Sequence, residues 1–120
     1  MKHTKSRSTI IEFPVFSGYF IHVEVSSDLK KLFERYIKDK ENGWDDVDAR
    51  ADGCTIDRSE YNMTFIFLKS TTSVGTIAHE CYHAVCNMFK HIGTDMDEEM
   101  VAYHIGFLVD EIFKLLRYRK

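Results

Sequence analysis

A chain of 120 residues is long enough for one domain and too short for two that each bury a core. With 44% hydrophobic and 29% charged residues, its composition is that of a folded protein and excludes an intrinsically disordered one. A net charge of −3 with no cationic stripe argues against binding nucleic acid through phosphate neutralisation.

The opening "MKHTKSRSTIIEF" is basic but lacks the apolar core and small-residue cleavage site of a secretory signal. Charges interrupt every apolar run before it reaches the length of a membrane span, so no membrane partner is expected. Three cysteines cannot close into a disulfide framework, and a reducing cytoplasm is the expected location.

Residues 9–25, "TIIEFPVFSGYFIHVEV", are β-branched and aromatic around a central Ser17–Gly18. They predict two short strands joined by a turn, with Pro14 favouring an edge position. In "SSDLKKLFERYIKDK", Ser26 or Ser27 is the expected N-cap. Leu29, Leu32, Phe33, Tyr36 and Ile37 then recur at helical spacing up to Asn42–Gly43. "WDDVDARADG" suggests a short helix stopped by Gly53. Its aspartates lack the alternating ligands and terminal glutamate of a calcium loop and read as a solvated acidic segment.

Residues 54–69 read as a hairpin turning at Arg58–Glu60. The second strand, ending "MTFIFLK", is apolar on both faces and expected to be covered on both. "STTS" supplies a cap for a helix from about Val74 to Lys90, closed by Gly93. The last helix spans about Asp97 to Tyr118, with acids at its start and "RYRK" at its end, as the helix dipole favours. The organisation is α+β in one domain over residues 1–120: strands, a helix, a hairpin, then two consecutive helices, with the strands expected in a small antiparallel or mixed sheet.

The segment "GTIAHECYHAVCNM" carries the chemistry. On a helix, residues four apart stack with Cβ atoms about 5–6 Å apart, so His79 and His83 can offer two imidazole nitrogens to one ion. Glu80 lies about 100° around the helix, placed to reach a water without ligating the ion. This HExxH pattern on a helix after a strand is that of a catalytic zinc site, which needs a third protein ligand. The metzincin extension would require glycine and histidine where the chain has Cys86 and Phe89. Glutamate from the next helix is the other familiar solution, and "DMDEEMVAY" offers both Glu98 and Glu99. Helical projection does not choose between them.

"HECYHAV" followed by "EEMVAY" resembles the gluzincin group of zinc metallopeptidases. It is similar in particular to the small HExxH proteins of bacteriophages and prophages, in which an "E--AY--G-L" helix follows. Glu99, Ala102, Tyr103, Gly106 and Leu108 match that second motif, and the likeness covers about Gly75 to Ile112. The resemblance implies a minimal zincin-like domain with His79, His83 and Glu99 as Zn²⁺ ligands, Glu98 in reserve and Glu80 as general base. It implies hydrolysis of a peptide or protein substrate, in the host cytoplasm if phage-encoded. It also implies that the strand before the helix pairs with extended peptide. Thermolysin-type gluzincins place aspartate where this chain has Tyr103. The competing class is a zinc-stabilised, non-catalytic binding module that interferes with a host protein; a metal-free helical interaction domain is a third.

Several other residues have plainer expectations. Cys81 projects opposite the histidines, and Cys81 and Cys86 are expected to pack in the core. Cys54 begins a strand. His104 projects about 140° from Glu99 and is not expected to share its ion. His3, His22 and His91 read as surface or hydrogen-bonded residues. Phe65, Phe67, Phe89, Phe107 and Phe113 read as core, and Trp44 as buried.

Overall fold

The computed structural model describes residues 6–36 and 52–117. Alternating residues in strand β1 (Ser6–Glu12) and strand β2 (Phe20–Ser26) pair antiparallel, in a register that sets Ile11 opposite Ile21. A 3-10 turn over Pro14–Phe16 joins them, with Pro14 at its first position, where its missing N–H costs nothing. Gly18 follows at φ +93, and its N–H donates to the Glu12 carboxylate at 2.6 Å.

Helix α1 (Leu29–Tyr36) comes next. Asp28, rather than Ser26 or Ser27, holds its start: the Asp28 carboxylate accepts the Lys31 N–H at 3.2 Å. Ser26 instead uses its hydroxyl to accept the Asp28 N–H. Leu29 and Leu32 are buried as their spacing required. The side chains of Phe33 and Tyr36, together with Ile37, Trp44 and the aspartate-rich segment up to residue 51, lie outside the described residues, as does His3.

Strands β3 (Gly53–Arg58) and β4 (Met63–Lys69) form the expected hairpin around a 3-10 turn at Ser59–Tyr61, with Asn62 left-handed at φ 59. Gly53 therefore opens a strand. A Cβ added there would lie 3.0 Å from Leu68 Cδ2, 3.0 Å from Thr76 Cγ2 and 3.2 Å from Glu80 Cγ, so glycine permits the close approach of strand and helix.

The sheet order is β1-β2-β4-β3. β4 runs parallel to β2 and antiparallel to β3, which makes the sheet mixed. β4 is thus interior. Ile66 and Leu68 join the larger core with the two long helices, while Phe67 packs with Leu29 and Leu32 on the opposite face. Both of its hydrogen-bonding edges are used, which corrects the expectation that this strand receives a peptide.

Helix α2 (Val74–Ile92) begins with the Ser73 hydroxyl accepting the Thr76 N–H at 3.1 Å and ends on left-handed Gly93. Helix α3 (Glu98–Arg117) begins with the Asp97 carboxylate accepting the Met100 N–H at 3.1 Å. From β1, Arg7 reaches the carbonyls of Leu115 and Leu116 at 2.7 and 3.2 Å, satisfying acceptors that the helix end leaves open. The molecule is an α+β fold with a small mixed sheet and two long helices. Among the described residues no helix is long and apolar enough to cross a membrane.

Candidate metal centre

The apolar stripe of α2 fixes its orientation. Ile77, Cys81, Ala84, Val85, Met88 and Phe89 are buried, and this turns His79 and His83 to the exposed flank. The imidazoles converge: Nε2 of His79 lies 3.1 Å from Nε2 of His83, with the rings edge to face. Two nitrogens each about 2.0–2.1 Å from one tetrahedral zinc ion would stand about 3.3 Å apart. The pair therefore suits a shared ion.

Glu80 turns inward and is 8% exposed. The Thr55 hydroxyl of β3 lies 2.6 Å from Glu80 Oε1 and 3.1 Å from the Glu80 carbonyl oxygen, tying the strand to the helix. A charge-accepting contact of 2.6 Å holds the carboxylate in one orientation. Glu80 and His79 open onto one groove of about 470 Å³, lined also by Asp52, Gly53, Ser73, Gly75 and Thr76. On the described residues β3 has no strand on its outer side, so the sheet edge beside this groove belongs to β3.

Glu99 is exposed in the first turn of α3. Glu98 lines a separate cleft of about 390 Å³ with Tyr82, Met96, Val101, Ala102 and Ile105. Among the described residues no three of histidine, cysteine, aspartate and glutamate are gathered closely enough to hold an ion. The fold thus brings together two histidines and the acid between them, and leaves the carboxylates of α3 apart from that group.

The cysteines stay out of the site. Cys81 is fully buried in the core, as expected; Cys86 is only half-buried and is not among the residues packed into either core cluster, which corrects the expectation for it. Burial, then the neighbouring Glu80 charge, pushes the Cys81 thiol up to about 12, and the same two causes push Cys54 up to about 11. Both are protonated at neutral pH and are poor ligands. Because these values lie above the ordinary 9.0, the stability they contribute is complete below pH 9 and lost as pH rises toward 11–12. Thermal melts should therefore fall over that alkaline window, and Cys54→Ala with Cys81→Ala should flatten the slope.

His104 is buried among Phe13, Phe16 and Phe89, with its Nδ1–H donating to the Met100 carbonyl at 2.7 Å. It belongs to the core and not to the metal pair. His22 meets the Glu24 carboxylate at 2.7 Å and His91 meets the Asn62 side-chain oxygen at 2.8 Å, so both are hydrogen-bonded as expected. Phe67 and Phe89 are buried, and Phe65 and Phe113 pack partly buried. Phe107 differs from expectation: it is 36% exposed, at the margin of the α3 stripe rather than in it.

Thr55 and Asp52 were not singled out by sequence. Strand alternation places Thr55 on one face of β3 but does not say that this face meets Glu80. No protein-family model matches the chain, and neither a curated protein nor a solved structure does.

Proposed function

We infer that the protein is a minimal zincin-like zinc metallopeptidase, with His79 and His83 holding the ion and Glu99, which stands apart from that pair in this structure, moving in from the start of α3 to complete the ligand set. The observation that carries this reading is the convergence of two exposed imidazole nitrogens to 3.1 Å, beside a buried glutamate that lines one groove together with His79. An exposed hydrogen bond between two side chains competes with water and contributes little, so stability alone gives weak reason for the pairing.

Bound zinc would supply Lewis acidity at the groove. The residues supply the rest. Glu80, oriented by Thr55, accepts the proton of the attacking water and returns it to the leaving amine. Among the described residues β3 has no strand on its outer side, and an extended substrate can lie along that edge. Glu99, exposed at the start of a helix, carries the negative charge that a third ligand requires.

Metal analysis of the purified protein tests the reading. One zinc per chain is expected, lost in His79→Ala and in Glu99→Gln but retained in Glu98→Gln. Protein that takes up no zinc when supplied with it would overturn the metal centre. Loss in Glu98→Gln with retention in Glu99→Gln would reassign the third ligand.

A further inference from the structure

The groove beside Glu80 runs on past the reacting groups toward the first turn of α2. Thr55 is bonded to Glu80, and Gly53 sits against Thr76, so going back along β3 leads from the reacting end to Asp52. Three residues of strand, about 10 Å, separate Thr55 from Asp52. The Asp52 carbonyl accepts the Lys69 N–H at 2.8 Å, which ties this position to the end of β4. Its carboxylate is exposed and has no hydrogen-bond or ion partner among the described residues.

Gly75 forms the facing wall, in the first turn of α2. Nothing in the fold calls for glycine there. Its backbone is ordinary helix, and an added Cβ would meet only the Ser73 hydroxyl oxygen, at 3.8 Å. A larger residue would suit the helix better, since glycine weakens one relative to alanine or leucine. The missing side chain leaves this wall as bare backbone, open to a ligand.

Charge decides what kind of ligand. Asp52 and Glu80 both line the groove, and among the described residues no lysine or arginine does. The start of α2 opposes these two carboxylates with only about half a unit of positive charge. One of its donors is already engaged, because the Ser73 hydroxyl accepts the Thr76 N–H. An ion held by His79 and His83 would stand at the other end, four residues or more from Gly75 along the helix. The far end of the groove therefore favours a cation over an anion.

We propose that this groove seats a lysine or arginine side chain of the peptide substrate, with its stem over Gly75 and its cation on the Asp52 carboxylate. The assignment rests on the hydrolytic reading and adds a substrate class to it. The α-ammonium group of a chain terminus, about one residue or 3.8 Å from the scissile bond, is too near to reach Asp52. The four-carbon stem of lysine, or the arm of arginine, covers the longer distance.

Binding and cleavage are measured separately. Lysine, norleucine and glutamate versions of one capped tripeptide are titrated into the full chain with a chelator present, following the amide resonances of Gly53, Gly75 and Thr76. The lysine peptide should bind about fivefold or more tighter than the norleucine peptide at low ionic strength, with the glutamate peptide weakest. Asp52→Asn should bring the lysine peptide down to the norleucine level, and Asp52→Lys should favour glutamate. Gly75→Leu should raise the melting temperature while weakening the lysine peptide, a pair of opposite changes that a purely structural glycine would not give. With zinc supplied, cuts in a mixed-sequence peptide pool should fall beside lysine or arginine. A wild type that binds the three peptides alike overturns the proposal whatever its turnover, as does a lysine preference that survives in Asp52→Asn. Hydrolysis with no bias toward basic residues removes the groove assignment and keeps the hydrolase. A lysine preference at these amides in a zinc-loaded chain that cuts nothing keeps the groove as a site for basic side chains and removes the hydrolase.

Discussion

Replacing Glu80 by glutamine is expected to lower peptide hydrolysis by about 10²–10⁴-fold while leaving zinc content and melting temperature near those of the wild type. Glutamine retains an oxygen that can accept the Thr55 hydroxyl, so the tie between β3 and α2 survives while the proton acceptor is removed. Turnover of fluorescently labelled casein, read beside metal content, separates the two quantities. Thr55→Val is the companion measurement. It takes away the donor that orients Glu80 and should cost about 1 kcal/mol in stability, with a smaller loss of rate than Glu80→Gln. A Glu80→Gln protein with undiminished turnover would remove the catalytic reading. A biological effect that survives the substitution while hydrolysis is absent would favour the zinc-stabilised binding module.

Phe89→Ala is expected to destabilise the fold by about 3–5 kcal/mol, a large share of the roughly 5–15 kcal/mol by which a domain of this kind is stable. Phe89 is fully buried, with its ring edge-on to Phe16 at 5.2 Å and to His104 at 5.6 Å. It thereby joins α2 to the turn after β1 and to α3, and truncation leaves a cavity where three elements meet. Urea unfolding should show a lower midpoint with an unchanged slope. The comparison is Tyr82→Ala on the exposed side of the same helix, expected to change stability by about 0.5 kcal/mol or less. Equal losses in the two variants would show that the packing of α2 does not depend on this ring. Because α2 carries both histidines, zinc uptake by Phe89→Ala should weaken in step with the loss of folded protein.

Much of this organisation is local and could be read along the chain. The Ser73 cap and the Gly93 terminator bound α2 because each acts within one helical turn. The turns at Ser17–Gly18 and at Arg58–Glu60 were legible from residues that favour turn conformations over strand. The spacing of His79 and His83 placed them on one face, because helical geometry alone fixes that relation. The two-faced apolar character of "MTFIFL" foretold a strand covered on both sides.

What the sequence could not give were the partners across space. Periodicity shows that one face of an element is buried without showing what covers it. Only the folded sheet places β4 between β2 and β3, removes it as a docking edge and leaves β3 beside the groove. Only the packing of α2 on β3 brings the Thr55 hydroxyl to Glu80, since 25 residues separate them in the chain. The exposure of Phe107 and the positions of Glu98 and Glu99 likewise depend on how α3 is rotated against the core. That rotation is set by Leu108 and Ile112 meeting side chains far away in sequence, a balance of contacts that no single segment encodes.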